Sequence, residues 1–172
     1  MPVSYVAFLR GINVGGKNLL AMSDLKKAFE DLGFKNVTTL LASGNVLFQA
    51  ANAKDLRTKI EKKLKTITGK DINVLLRTRD DLTALGDPFK GIKVTPETRL
   101  YVTFLSEKPK GNVRDAPPAF RIVKKTNTEI CSVLTLGKEG RTVDLMATLE
   151  KDLGKNITTR NWNTVVKCRE KG

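Results

Sequence analysis

The chain has no histidine, two cysteines and a single tryptophan. No apolar run approaches the roughly 18 to 20 residues of a membrane-spanning helix. Without histidine there is no Ser-His-Asp triad, no Cys-His nucleophile pair and no His-ligated zinc. A general base would have to be Asp, Glu, Lys, Tyr or Cys. Cys131 and Cys168 are far apart and match no metal-ligand spacing, which suits a reduced cytosolic setting. Met1-Pro2-Val3-Ser4 is not a charged region leading into an apolar one. The expectation is therefore no signal peptide and a cytoplasmic location. Neighbouring acids occur at Asp80-Asp81, but no carboxylate pair stands out for acid–base work. No catalytic group, cofactor or metal is indicated.

What is present is positive charge. The 172 residues hold 31 Lys plus Arg against 18 Asp plus Glu, a net +13. Such a balance favours polyanionic partners, most simply nucleic acid, or serves solubility alone. The apolar content of 40% is enough for a real core.

The pattern along the chain predicts an α+β protein. Tyr5 to Leu9 reads as a buried strand. Ser23 is a good N-cap for a helix whose Leu25, Ala28, Phe29 and Leu32 share one face, with Gly33 ending it. Val37 to Leu41 and Val46 to Phe48 read as strands joined by the turn Ser43-Gly44-Asn45. Asn52 caps a second helix lined by Leu56, Ile60, Leu64 and Ile67 and closed by Gly69. Ile72 to Leu76 is a fourth strand. The order β-α-β-β-α-β is that of a ferredoxin-like split arrangement, with both helices on one face of an antiparallel sheet. Beyond it come a short helix from Arg79 to Leu85, strands at 100–105, 120–123 and 130–136, a loop rich in Pro and Gly at 108–118, a helix over 143–153 with Leu145, Met146, Leu149 and Leu153 inward, and a last helix starting near Thr158 or Thr159. The expected division is a ferredoxin-like half, 1–86, and a smaller α+β half, 87–172, ending in helices.

Two segments carry polar chemistry. The first runs from Arg10 through Gly11, Ile12, Asn13, Val14, Gly15, Gly16 and Lys17 to Asn18. It fits G-x-x-x-x-G-K but has Asn18 in place of the hydroxyl residue that binds Mg²⁺ in a phosphate loop. The helix also starts late, and the strand order is not the parallel sheet of such enzymes. What remains is a turn in which glycines adopt positive φ, or one in which Arg10, Lys17 and loop amides hold a phosphate or carboxylate without metal.

The second segment is Thr158-Thr159-Arg160-Asn161-Trp162-Asn163-Thr164. At a helix start, its free amides and the Arg160 guanidinium would hold an anion. Trp162 would stack on a base or on Arg160, or else pack in the core as large aromatics commonly do. Ser43 and Asn45 of the hairpin turn join the candidates, although a turn is their default reading. The second helix carries Lys54, Arg57, Lys59, Lys62, Lys63, Lys65 and then Lys70. Such a run is a solvated face or a phosphate-backbone track. The strands lack the exposed aromatic pair of an RNA-recognition motif.

Tyr5 to Gly16, Met22, Leu25, Gly33-Phe34, Ser43 to Val46, Phe48 and Thr158 to Thr164 together resemble a bacterial family catalogued as domain of unknown function 1697. The resemblance covers essentially the whole chain and implies a cytoplasmic bacterial α+β protein with no assigned activity. Leu41-Ala42 stands where that family's pattern has a Tyr-containing pair, so no tyrosine hydroxyl is available there. Three functions follow as expectations. One is a binding module for nucleic acid or a phosphorylated ligand. The second is a histidine-independent enzyme acting on a phosphate- or carboxylate-bearing metabolite, with Asn13, Asn45 and Asn163 orienting it. The third is an interaction protein whose motifs are only structural.

Overall fold

The computed structural model describes residues 1–16, 18–51, 54–115, 119–137 and 144–171. The chain forms two compact units, Met1–Ala84 together with the C-terminal segment from Cys168, and Leu85–Lys167. The sequence division at 86 assigns that last segment to the second half.

The first unit contains β1 (Val3–Leu9), α1 (Met22–Asp31), β2 (Lys35–Leu40), β3 (Asn45–Ala50), α2 (Leu56–Thr68), β4 (Val74–Thr78) and α3 (Arg79–Ala84). Its sheet has the order β2-β3-β1-β4, with every neighbouring pair antiparallel. A ferredoxin-like split arrangement requires this order of elements and strands.

Side chains alternate across each strand, so Tyr5, Ala7 and Leu9 of β1 share one face with Val46, Phe48 and Ala50 of β3. Leu25 and Phe29 of α1, and Leu56, Ile60 and Leu64 of α2, close over that face. Phe48 is its centre: its ring stacks on Phe34 at 4.7 Å and on Tyr5 at 5.5 Å and meets Phe29 edge-on at 5.2 Å. On the opposite face Val6, Phe8 and Leu75 are fully or almost fully buried, while Ser4 and Gln49 towards β3 are half-buried. Tyr5, Phe8 and Phe48, the aromatics of these strands, are all buried, so the sheet presents no aromatic on which a base could stack.

Three local expectations change. Ala21, not Ser23, occupies the N-cap of α1, and no side chain caps it, so Ser23 falls inside the first turn. Ile67 is exposed because it lies in the last turn of α2, beyond the end of the helix packed on the sheet. The fourth strand begins at Val74, with only Ile72 of the expected start contributing to the core. Gly69 does end α2, in the left-handed conformation, with its N–H on Lys65 O at 2.8 Å. The proposed cap at Asn52 lies outside the described residues.

The second unit contains β5 (Thr98–Leu105), β6 (Phe120–Lys125), β7 (Glu129–Thr135), α4 (Leu145–Leu153), β8 (Ile157–Asn161) and the start of α5 (Trp162–Glu170). Its antiparallel sheet has the order β6-β7-β5-β8. Asp144 caps α4 by accepting the Ala147 N–H at 3.0 Å. Leu145 and Leu149 of that helix meet Leu105, Phe120, Ile130, Leu134 and Ile157 of the sheet. The last helix does not start at Thr158 or Thr159. Those residues belong to β8, paired with Phe104 and Thr103 of β5, and the helix begins at Trp162.

Candidate functional site

Antiparallel pairing positions the glycine loop. Phe8 faces Asn45 of β3 and Leu9 faces Val74 of β4, so the chain leaving β1 emerges between the starts of both neighbours. Leu9 N–H donates to Gly44 O at 2.8 Å, and Arg10 N–H donates to Asn73 O at 2.9 Å. The Ser43-Gly44-Asn45 turn and the glycine loop thus share one end of the sheet, a neighbourhood the sequence left open.

The loop is shaped by left-handed residues at Gly11, Asn13, Gly15, Gly16 and Asn18, with φ between 51° and 72°. Ile12, between the first two, is fully buried and pins the loop to the core. Asn13 does the rest of the anchoring. Its Nδ2 donates to Leu20 O at 3.0 Å and to Ala42 O at 2.8 Å, while its Oδ1 accepts the Leu20 N–H at 2.8 Å. Asn18 Nδ2 donates to Gly11 O at 2.9 Å, and Asn18 Oδ1 accepts from Lys70 Nζ at 2.8 Å. Asn45 is fully buried, with Nδ2 on Leu40 O at 2.8 Å and Ser43 Oγ at 3.1 Å. The Asn13 and Asn45 amide nitrogens are thus engaged in holding the loop and the hairpin.

Exposure falls on other atoms. Gly11, Gly15 and Gly16 are exposed, and Arg10 is half-buried. Among the described residues, no hydrogen bond is formed by the N–H of Gly11, Gly15 or Gly16. Lys17 lies outside the described residues. Lys70 was seen in the sequence only as the end of a basic run; its contact with Asn18 brings it to this loop.

The basic face of α2 is less positive than its sequence suggests. Arg57 pairs with Glu61, Lys59 with Asp55, Lys63 with Asp31 and Lys65 with Asp71, all within 3.0 Å. The hydrogen bond from Lys63 is the chief cause that holds the Asp31 carboxyl below its ordinary range. Exposed pairs of this kind contribute little to stability, but they cancel much of the local field.

The second motif is divided by the strand that carries it. Because alternate residues of β8 face opposite sides, Thr159 and Arg160 point to different faces. Thr159 Oγ1 lies 2.8 Å from Thr103 Oγ1 and 2.9 Å from Met146 Sδ, on the α4 side. Arg160 is buried at 8% exposure, with Nη1 donating to Thr158 Oγ1 at 2.8 Å and to Thr159 O at 2.9 Å. It is not at a helix N-terminus.

Asn161 and Asn163 are exposed and flank half-buried Trp162, whose ring meets Phe89 edge-on at 5.4 Å. They line a hollow of about 320 Å³ with Val94, Thr98, Arg99 and Leu100. Arg99 was not singled out in the sequence, where nothing distinguishes it from the other cations. Among the described residues no cluster of three His, Cys, Asp or Glu is placed to hold a metal, and no helix is long and apolar enough to cross a membrane.

Two α+β units, each built on a four-stranded antiparallel sheet, define a mixed α+β protein whose polar motifs sit at strand ends. The chain belongs to the family described as protein of unknown function DUF1697, whose model matches residues 3–129. Among solved structures it is similar to the conserved bacterial protein SP0830 from Streptococcus pneumoniae, at 19% identity and a TM-score of 0.70, over 99% of this chain and 98% of that one. At that identity the likeness is one of fold. No curated protein matches.

Proposed function

We propose that the protein is a nucleic-acid-binding module that grips the phosphate backbone with the glycine loop of its first unit. The observation that carries this reading is the loop itself. It is a turn with recurrent left-handed residues, exposed at Gly11, Gly15 and Gly16, fixed by Asn13 and Asn18, with Arg10 at its root and Lys70 beside it. Turns of this type direct successive N–H groups at one anion. A loop already locked in place loses little further entropy on binding. Its exposure suits an extended polyanion better than a small metabolite, which is ordinarily enclosed. The net charge of +13 supplies the attraction.

Contact through phosphate rather than bases is favoured because Tyr5, Phe8 and Phe48, the aromatics of the first sheet's strands, are buried and not available for stacking. A fluorescent single-stranded 20-mer and its duplex, titrated by anisotropy across a salt series, test the proposal. Affinity is expected to fall steeply with salt, and Arg10→Ala and Lys70→Ala each reduce the slope by about one. No binding at low salt, or a slope that survives both substitutions together, overturns it.

A further inference from the structure

The β8–α5 junction of the second unit gathers polar and aromatic side chains around a hollow, apart from the glycine loop. Strand β5 is paired with β7 from Thr98 onwards, but with β8 only from Tyr101 to Leu105. At Asn161 the chain stops pairing and turns into α5. β8 therefore leaves Thr98 to Leu100 of β5 unpaired; Thr98 donates its N–H to Thr95 O at 3.0 Å instead, and the hollow of about 320 Å³ lies against this stretch.

Its walls are chemically distinct. Trp162 supplies an indole that is half-buried and steadied by Phe89. Asn161 and Asn163, both exposed, bring amides that donate and accept. Arg99 Nη1 donates to Pro96 O at 2.6 Å and to Thr98 O at 2.9 Å, which fixes the guanidinium and leaves Nε and Nη2 as its other donors. The nearby Glu97 carboxylate, whose ordinary range is lowered chiefly by the Thr95 hydroxyl, also feels Arg99 and offsets part of its charge.

We propose that this hollow seats a nucleobase, so that the second unit binds a nucleoside phosphate. The base stacks on Trp162, its polar edge meets the Asn161 and Asn163 amides, and its phosphate is held by Arg99. Every base has a face that stacks on an aromatic ring, and one such contact is a substantial part of single-strand affinity. The volume is near the lower end for small-ligand sites, which fits one nucleotide rather than a larger cofactor. The proposal uses residues of the second unit alone and stands or falls apart from the glycine loop.

Trp162 is the only tryptophan, so its emission reports this hollow without a label. Adenosine 5′-monophosphate, adenosine and ribose 5-phosphate are titrated separately into the intact protein. The expected result is saturable quenching by the first two, tighter for the nucleotide, and none by ribose 5-phosphate. Arg99→Gln abolishes the advantage of the nucleotide over the nucleoside and leaves adenosine binding in place. Trp162→Ala, followed by equilibrium dialysis, weakens nucleotide binding on the order of tenfold or more. Asn163→Ala, at an exposed position, gives a second weakening should Trp162→Ala fail to fold. Unchanged emission with all three ligands, equal quenching by ribose 5-phosphate, or a nucleotide advantage that survives Arg99→Gln overturns the proposal. Trp162 emission unchanged by all three ligands while oligonucleotide anisotropy still responds overturns this inference and leaves the loop reading intact.

Discussion

A Cβ atom on Gly44 would lie 2.6 Å from Ile12 Cδ1, with Ile12 Cγ1 and Leu9 Cβ at 2.8 and 2.9 Å. The glycine of the hairpin turn and the buried residue of the glycine loop are thus fitted to one another. Gly44 also has φ +79°, where any side chain is strained. Gly44→Ala should therefore destabilise the protein by about 3 kcal/mol, from the left-handed conformation and overpacking together. Gly11→Ala, at φ +67° with nothing near its Cβ, should cost only about 1 to 2 kcal/mol. Urea unfolding checks both. Ile12→Val, which removes the nearest atom, should recover part of the Gly44→Ala loss in the double variant. Simple additivity would show that the contact is not the cause.

Asn13 makes three hydrogen bonds, two that close the loop on Leu20 and one that fastens it to Ala42 of the hairpin, and its own φ of 53° suits asparagine better than most residues. Asn13→Ala should lower stability by about 2 to 3 kcal/mol, since two carbonyls lose a donor and the Leu20 N–H loses its acceptor. Asn13→Asp keeps the acceptor but faces the two carbonyls with an oxygen, and should be no better than alanine. Denaturant midpoints and amide exchange at Leu20 measure this. If exchange at Leu20 is as slow in Asn13→Ala as in the parent, the side chain is not what holds the loop.

Secondary structure in this chain is written in local periodicity, which is why Leu25, Phe29, Ile60 and Leu64 are recognisable as helix interior from spacing alone. The site was legible only in part. The neighbourhood of Gly44 and the glycine loop depends on strand order, because Phe8 meets Asn45 across β1 and β3 rather than along the chain. Thr158 to Asn161 misled because threonines before a tryptophan resemble caps, while their strand state is set by pairing with Val102, Thr103 and Phe104. Arg99 had no local signal at all; the early end of β8 is what leaves room for the hollow beside it.

The strand state of Arg160 has a consequence of its own. Arg160 is 8% exposed as a residue, and its guanidinium donates to Thr158 and Thr159, which ties it into the fold. Arg160→Ala should destabilise the second unit by about 2 to 4 kcal/mol, through lost hydrogen bonds to a charged donor and the space left behind. Under conditions where the variant stays folded, its affinity for the 20-mer should match the parent. A drop in affinity at unchanged thermal midpoint would return Arg160 to the binding surface.

Cys131 gives a pH signature. It is fully buried on β7, and burial pushes its thiol up to about 12, with Lys124 opposing the rise and Glu129 adding to it. Below the ordinary thiol range, near 9, both folded and unfolded thiols are protonated and the group is neutral in its effect. Between that range and about 12 the unfolded thiol is ionised while the folded one keeps its proton. Stability must therefore fall with rising pH in this window, by about 1.4 kcal/mol per pH unit from this group. Urea unfolding between pH 8 and 10.5 should be less steeply pH-dependent in Cys131→Ala than in the parent, by close to one proton. The native protein should also react slowly with a thiol reagent, since the thiolate is scarce and enclosed. A pH slope identical in parent and variant would assign the alkaline loss of stability to other groups.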